Sequence, residues 1–407
     1  MGTVYFAKWI LLENGDILEN GAVAVSENRI LSAGPRGKAR RGPDDRIVNL
    51  GDSFLLPGFI NLHTHLEEGV IRGIQKSSDD TFAAWTAKKQ TRLRQASTES
   101  IKTSIRLGVR ELLAQGITSV VDNSRLGLSR SILEEESIRA WIIDELSPDD
   151  PLQEKEIING AIKRCKEEKQ LVGSGAGPYA LYSLSPESQS ELIKHKDKNT
   201  LWATHIAESA EELQAFSERK GDLFFQITRK RPWPYGDTTM GPMNYAINFH
   251  LIPDHALCFH CNYVNGSELE YLASINASVV LCYNYTREMG HKAFPLDVAM
   301  NRKVRICLGT EGVSPPGFMS LFEELYSLRS DYPHIPASEM IKWVTSNAAE
   351  ALNMGDSLGT LSPGKLADLI AVRFAHDPDE NPLEELLVEE PDIRLVVVDG
   401  EEVVVNY

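Results

Sequence analysis

The chain has 407 residues, 42% apolar and 25% charged, so it can bury a sizeable core and has the composition of an ordinary globular protein. Its formal net charge of −16 disfavours nucleic acid and anionic membrane surfaces as partners, because like charges repel. No apolar run reaches the ~20 residues of a membrane helix, the first residues lack the pattern of a secretory signal, and five scattered cysteines predict buried thiols instead of a disulfide framework. We therefore expect a cytoplasmic protein.

The two ends of the chain share one character, which is short β-type runs separated by turn signals. At the amino end these runs cover 4–12, 21–25, 29–32 and 46–50, and they predict a small antiparallel sheet. At the carboxyl end they cover 367–372, 393–398 and 402–406, with Asp399 and Gly400 as a hairpin turn. We expect residues 1–57 and 361–407 to form one small β-sandwich domain.

The middle of the chain, residues 58–360, alternates between strand and helix patterns. The predicted strands are 58–63, 117–122, 140–146, 171–177, 201–205, 255–260, 278–282 and 304–309. The predicted helices are 97–114, 151–169, one opening at 185, 209–219, 267–275, 295–302, 320–329 and an additional helix over 338–352. Eight such units predict the α/β class and a (β/α)8 TIM barrel. A doubly wound open sheet is the alternative, although no G-x-G-x-x-G follows the first strand.

The strongest local signal for chemistry is a pair of histidines, His63 and His65, at the end of the first predicted barrel strand. Alternation along a strand places residues two apart on the same face, here the barrel interior. Two imidazoles facing a core are costly unless something binds them. Because neutral imidazole is a preferred ligand of zinc and iron, the pair predicts a metal site.

Three further residues of ligand type close apolar runs, namely His205, His260 and Glu311. Catalytic residues in barrels gather at the carboxyl ends of the strands. Any one of them alone could be a hydrogen-bonded core residue, but the set of five at strand ends predicts a common site.

These motifs resemble those of the amidohydrolase superfamily, in the branch that holds cytosine, guanine and S-adenosylhomocysteine deaminases, aminodeoxyfutalosine deaminase and triazine chlorohydrolases. The run LPGFINLHTH at 56–65 is similar to the family's first-strand motif, and HIAE at 205–208 to its fifth-strand motif. The pair at 260–261 is similar to its sixth-strand His-Cys, and 359–369 resembles its closing segment. The run LGTE at 308–311 stands where the family has L-G-T-D.

The resemblance implies one divalent metal ion, zinc or iron, bound by His63, His65, His205 and Glu311. A hydroxide on that metal would attack a ring carbon of the substrate and release ammonia. Glu208 would take the proton of the water and deliver it to the ring nitrogen and leaving group. His260 would hold the attacking oxygen and stabilise the tetrahedral intermediate. Without the family, the solvated start of a helix is the favoured interpretation of Glu208, because a helix-start pattern follows at 209–212.

The sequence departs from the family pattern at the site itself. Glu311 replaces an aspartate and is one methylene longer. Tyr179 stands where the family usually has a histidine that contacts substrate. The substrate-binding residues that the resemblance implies occupy loops after barrel strands and helices, and they are Glu67, Trp85, Tyr179, Tyr182 and His291.

The sequence therefore predicts a metal-dependent deaminase of an aminated heterocycle, with an adenine-type nucleoside such as aminodeoxyfutalosine as the leading substrate. One alternative is a chloro- or alkylamino-hydrolase of a triazine-type ring, or a cyclic-amide hydrolase. Another is a non-catalytic or repurposed barrel, suggested by Glu311. We expect a small-molecule substrate, no nucleic acid or membrane partner, and a homo-oligomer, most simply a dimer.

Overall fold

A computed structural model describes residues 2–40, 42–166, 171–230, 232–233, 235–236, 239–312, 319–376, 378 and 381–406. The described residues form two eight-stranded sheets. The strands are β1 Gly2–Leu11, β2 Ile17–Ser26, β3 Arg29–Pro35, β4 Arg46–Asn49, β5 Ser53–Pro57, β6 Phe59–Thr64, β7 Ile117–Ser124, β8 Arg139–Leu146, β9 Val172–Pro178, β10 Thr200–Ile206, β11 Leu257–His260, β12 Ser278–Leu281, β13 Arg305–Leu308, β14 Leu369–Arg373, β15 Asp392–Val398 and β16 Glu401–Val405.

The second sheet contains strands β6 to β13 side by side in chain order, and the paired strands are parallel. Its first and last strands meet through a parallel bridge between Thr64 and Glu311 and a 3.0 Å hydrogen bond from the Thr310 N–H to the His63 carbonyl. The predicted eight-stranded barrel is therefore confirmed. Gly309 permits this closure, since a Cβ there would lie 2.5 Å from the Cβ of His63.

Helices follow the barrel strands along the chain and pack around them. They are α1 Phe82–Gln95, α2 Thr98–Ala114, α3 Ser129–Leu133, α4 Glu154–Arg164, α5 Pro186–Lys194, α6 Ala210–Glu218, α7 Gly221–Lys230, α8 Pro242–Asn248, α9 Gly266–Ser274, α10 Tyr283–Glu288, α11 Leu296–Asn301, α12 Leu321–Asp331, α13 Ala337–Trp343, α14 Ser346–Ala351 and α15 Pro382–Glu385. Short 3-10 turns cover Arg36–Lys38, Leu66–Ile71, Pro151–Gln153 and Leu181–Ser183. None of the described helices combines the length and apolar character needed to cross a membrane.

Local sequence explains where several helices begin. The hydroxyls of Ser97, Ser185 and Ser209 accept hydrogen bonds from backbone N–H groups of α2, α5 and α6, which otherwise lack partners. The single helix predicted over 338–352 is wrong. The structure divides it into α13 and α14 at Thr345, whose φ of −130° and ψ of −96° are not helical and whose hydroxyl donates to the Ile341 carbonyl at 2.7 Å. The helix predicted over 151–169 ends at Arg164, and 167–169 lie outside the described residues.

The two chain ends form the first sheet, in the order β16-β15-β14-β5-β1-β2-β3 with β4 also paired to β1. The sheet is mixed and not purely antiparallel as predicted, because β1 pairs in parallel with both β4 and β5. The predicted hairpin turn has φ of 51° at Asp399 and 85° at Gly400, the left-handed pair that a tight two-residue turn requires. The division into 1–57, 58–360 and 361–407 stays a prediction.

A buried charge network joins this sheet to the amino-terminal end of the barrel strands. Arg139, the first residue of β8, donates from Nε and Nη2 to the Asp368 carboxylate, each at 3.0 Å, and from Nη2 to Asp399 at 2.9 Å. The Asp399 N–H also donates to Asp368 at 2.8 Å. Arg139 and Asp368 are each 6% exposed, so this network is part of the interior.

Candidate metal centre

Four buried side chains converge where β6, β10 and β13 end. His63, His65, His205 and Glu311 each offer one ligand atom, and these atoms all lie within 4.8 Å of one another. Two ligands of a tetrahedral ion with metal–nitrogen bonds of ~2.1 Å lie about 3.4 Å apart. Nε2 of His65 is 3.4 Å from Nε2 of His205, so this pair already has the separation that a tetrahedral metal requires.

Irregular backbone aims several of these side chains at the centre. The pairing of β6 with β7 shifts between Asn61 and Thr64, a β-bulge of the kind that redirects side chains. His260 has φ of 67° and Glu311 has φ of 58°, both in the left-handed region that non-glycine residues rarely adopt. Ala207, one residue beyond β10, has φ of 51°. Strained residues of this kind cluster where a structure must hold groups for chemistry.

The imidazole nitrogens that face away from the centre have partners of their own. Nδ1 of His205 lies 2.6 Å from the Tyr179 carbonyl, which accepts only from a protonated nitrogen. Nε2 of His205 is thereby left with its lone pair, as a metal ligand must be. The side-chain N–H of Asn123 donates to Nδ1 of His63 at 2.7 Å, so in this structure the ring proton lies on Nε2, which faces the Glu311 carboxylate.

The electrostatics of the cluster suit a divalent cation. Burial lowers the pKa values of His65 and His205 well below the ordinary value, so both rings are neutral. Burial works to raise the pKa of Glu311, but His65, His63 and Lys89 hold it well below the usual range, so this group is a carboxylate. In this structure the carboxylate is 2.6 Å from Nε2 of His63. Neutral imidazoles with one carboxylate are a donor set that fits zinc or iron.

Glu208 and His260 lie beside the four ligand residues. Nε2 of His260 is 3.9 Å from Oε1 of Glu208 and 3.7 Å from Oε2 of Glu311. Neither ring nitrogen of His260 has a hydrogen-bond partner among the described residues, although the residue is fully buried. Burial lowers the pKa of His260 to about 3, and burial followed by the charges of Glu311 and Glu212 raises the pKa of Glu208 well above its ordinary value. The site thus places a neutral imidazole next to a carboxyl group whose affinity for a proton is increased.

The structure separates the predicted substrate-binding residues into two groups. Tyr179 and His291 adjoin the centre: the Tyr179 ring is 4.7 Å from the His205 ring, and Nε2 of His291 is 3.8 Å from Oε1 of Glu208. The Tyr182 ring is 6.4 Å from that of Tyr179. Trp85, by contrast, is fully buried in an apolar cluster, which also contains Phe82, Cys282, Tyr285 and Met289.

Glu67 belongs to the second group, since both of its oxygens are engaged by the loop that follows β7. It accepts from the Ser124 hydroxyl at 2.7 Å and from the backbone N–H groups of Arg125, Leu126 and Leu128 at 2.9, 2.8 and 2.9 Å. In this geometry Glu67 fixes a loop, and its predicted contact with substrate stays a prediction.

A cavity of about 340 Å³ opens next to the centre, between α1, α7 and the loops after β8 and β9. None of the four ligand residues lines it, and Tyr179 is the residue that borders both the cavity and His205. Its walls are largely apolar, and its remaining lining includes Tyr182, Gln90, Gln226 and Arg229. A volume of this size is in the range of small-molecule sites.

Sequence reasoning missed several charged or amide groups around the centre. Asn123 and Glu145 stand at the ends of β7 and β8, the same strand-end signal that identified the histidines. Nζ of Lys89 lies 2.8 Å from Glu68 and 3.9 Å from Oε1 of Glu311. Lys89 comes from the middle of α1, where nothing in the sequence distinguishes it from other helix lysines.

The chain has relatives among known proteins. A model of the amidohydrolase family matches residues 54–403. A 5-methylthioadenosine/S-adenosylhomocysteine deaminase of Bacillus cytotoxicus is 24% identical over 432 residues, covering 100% of this chain and 94% of the relative. An adenosine deaminase from Xanthomonas campestris, solved with bound zinc, superposes with a TM-score of 0.84 at 19% identity over 99% of this chain and 93% of its own. Aminofutalosine deaminase from Helicobacter pylori, solved with methylthio-coformycin, gives 0.83 at 21% identity over 99% and 100%.

Proposed function

This chain belongs to the amidohydrolase family, and from that premise we propose that it is a metal-dependent deaminase of an aminated heterocycle. The observation that carries the proposal is the cluster of His63, His65, His205 and Glu311 with Glu208 and His260 beside it. Both ring nitrogens of the buried His260 lack hydrogen-bond partners in the described part of the chain, and an oxygen of the reacting group would supply one.

A divalent zinc or iron ion, when bound by the four ligand residues, would supply Lewis-acid activation of water. The residues of the chain account for the rest of the reaction. Glu208 lies next to the centre, where its raised pKa suits a group that takes a proton from water and delivers it to the ring nitrogen and the departing amine. The neutral ring of His260 can donate a hydrogen bond to an oxygen on which negative charge develops.

The proposed substrate is an adenine-type nucleoside, with aminodeoxyfutalosine as the leading candidate. The names of the Bacillus cytotoxicus relative and of the Xanthomonas campestris and Helicobacter pylori structures support this class. The cavity bordered by Tyr179 and Tyr182 supports it as well, because it gives room for a substituent next to the reacting ring.

The test is release of ammonia from a panel of aminopurine nucleosides, aminopurines and aminopyrimidines by protein loaded with zinc or with iron. We expect turnover of at least one adenine-type nucleoside, and none by a Glu208→Gln variant with the same metal content. Chloride or alkylamine release from triazines without any ammonia from the panel would favour the triazine-type alternative. A protein that binds neither metal would favour a non-catalytic barrel.

We also propose a cytoplasmic homodimer, as expected from the composition and the resemblance to the family. Cys258, Cys261, Cys282 and Cys307 are buried free thiols, a state that suits a reducing compartment. Sedimentation velocity at several concentrations would test the dimer.

A further inference from the structure

We infer that Glu145, held by Arg125, is a positioning residue for His65 in the metal centre, an inference that rests on the proposed metal-dependent function. Glu145 stands at the end of β8 with its side chain 3% exposed. Its Oε1 has no hydrogen-bond partner within the described residues. That oxygen lies 3.9 Å from Nδ1 of His65 and 3.8 Å from Nδ1 of His205.

The two histidines differ in what they need from this oxygen. Nδ1 of His205 already has the Tyr179 carbonyl at 2.6 Å. Glu145 supplies a carboxylate within 4.0 Å of Nδ1 of His65. When Nε2 of His65 binds a metal ion, Nδ1 carries the ring proton, and a buried N–H requires an acceptor. A shift of about 1 Å, from 3.9 Å to ordinary hydrogen-bond length, gives Glu145 that role.

Arg125 fixes one carboxylate oxygen of Glu145 and leaves the other available to His65. Its Nε donates to Oε2 of Glu145 at 2.9 Å, so one carboxylate oxygen is anchored and the other is free to accept. The Arg125 guanidinium also lies over the Tyr179 ring, 4.3 Å from the ring centroid. Since the Tyr179 carbonyl orients His205, Arg125 links the groups that support two of the three imidazoles.

Glu67 completes the arrangement from the other side. It binds the backbone N–H groups of the loop that carries Arg125, and it follows His65 by only two residues. One short segment therefore supplies both a metal ligand and the carboxylate that anchors the loop supporting that ligand. In this way Glu67 supports the site through the loop that it anchors.

The neighbouring residue provides a matched control. Asp144 is 5% exposed, as is Glu145, and it accepts from Nε of Arg164 at 2.7 Å as Glu145 accepts from Arg125. It lies on the outer face of the same strand, toward α4. Loss of either charge breaks a comparable ion pair, but only Glu145 faces the imidazoles.

The experiment compares Glu145→Gln with Asp144→Asn for zinc affinity by chelator competition and for the visible spectrum of the cobalt-substituted protein. We expect Glu145→Gln to weaken zinc binding by about 10–100-fold, the scale for partners of metal ligands, and to alter the cobalt bands. Asp144→Asn should leave zinc affinity and the cobalt bands close to those of the native protein, because its carboxylate contacts Arg164 and none of the imidazoles.

Equal zinc affinity and identical cobalt spectra in the two variants would overturn the inference while leaving the proposed deaminase intact. If Glu145→Gln does not fold, Arg125→Met takes its place, with a smaller loss of affinity expected and an unchanged affinity counting against the inference. Native protein that binds zinc but deaminates nothing would contradict the proposed function alone. Native protein that binds neither zinc nor iron would overturn both.

Discussion

The two ends of strand β8 carry buried charges of opposite kinds. At its amino end, Arg139 donates hydrogen bonds to the carboxylates of Asp368 and Asp399 at 2.9 to 3.0 Å. At its carboxyl end Glu145 is equally buried but keeps one oxygen without a hydrogen-bond partner in the described part of the chain, and nearby His260 keeps two such nitrogens. Because both residues belong to one strand, the difference in hydrogen bonding reflects the different roles of the two ends of the barrel.

Unsatisfied buried polar atoms are costly, and native proteins keep few of them. Oε1 of Glu145 and both ring nitrogens of His260 are three such atoms, and they lie at the carboxyl end of the barrel with the left-handed residues His260 and Glu311, as expected of an end that binds a ligand. The amino end, joined to the terminal sheet, serves stability. Variants at the two ends should therefore separate function from folding.

The largest effect is expected for Glu208→Gln at the carboxyl end. The amide cannot accept and return a proton, so kcat should fall by about 10²–10⁴-fold, the usual scale of acid–base catalysis. Metal content and melting temperature should remain those of the native protein, because the change keeps the size of the side chain. Steady-state ammonia release and metal analysis measure both. Near-native turnover would assign Glu208 to the start of α6 and to no chemistry.

At the amino end, Arg139→Met should affect stability and leave the metal centre unchanged. Removal of the Arg139 guanidinium leaves the buried carboxylate of Asp368 without its ion-pair partner. Breaking such a pair costs about 3–5 kcal/mol. Denaturant unfolding measures this loss, and chelator competition should give native zinc affinity. Weakened zinc binding in a folded Arg139→Met variant would contradict the separation of the two ends.

The barrel could be predicted from the sequence because each of its strands is a short apolar run. All eight predicted strands are present, with every end within two residues of the observed one. Helices α1 and α7 were missed, since α1 is rich in charged and polar residues and α7 lacks a capping signal. They matter because they form two walls of the cavity.

The ligand residues could be predicted because each ends an apolar strand, but their orientation could not. Ile60 and Leu62 pack in the barrel interior, so strict alternation would turn His63 outward. The shift in β6 pairing and the left-handed φ of His260 restore the inward direction, and both depend on contacts between distant segments. The alternation of Trp141, Ile143 and Glu145 did mark Glu145 as inward-facing, a signal that could have been used.

A substitution of Gly309, where the barrel closes, should have an effect of intermediate size on both stability and metal binding. In Gly309→Ala the new Cβ would lie 2.5 Å from the Cβ of His63 and 2.8 Å from its backbone nitrogen. Overpacking of this kind costs about 1–3 kcal/mol, and relief of the clash must displace His63. We expect both a lower melting temperature and weaker zinc binding. Gly34→Ala in β3 serves as a control for the loss of a glycine, since nothing lies within 4 Å of its added Cβ and its φ is not in the left-handed region.

The smallest effect is expected for Glu311→Asp, which restores the residue that the family pattern has at this position. The change withdraws the carboxylate by about 1.5 Å, one bond length, from its present 2.6 Å contact with His63. The backbone of Glu311 is anchored by its bridge to Thr64 and cannot follow freely, so the metal ion must move or accept a longer contact. Three imidazoles remain, and we expect metal to be retained and kcat to change by less than about tenfold, or 1.4 kcal/mol. Glu311→Ala removes the charge altogether and should lose most activity. Full metal content and full turnover in Glu311→Ala would show that this carboxylate takes no part in metal binding or catalysis, and that the histidines alone hold the metal.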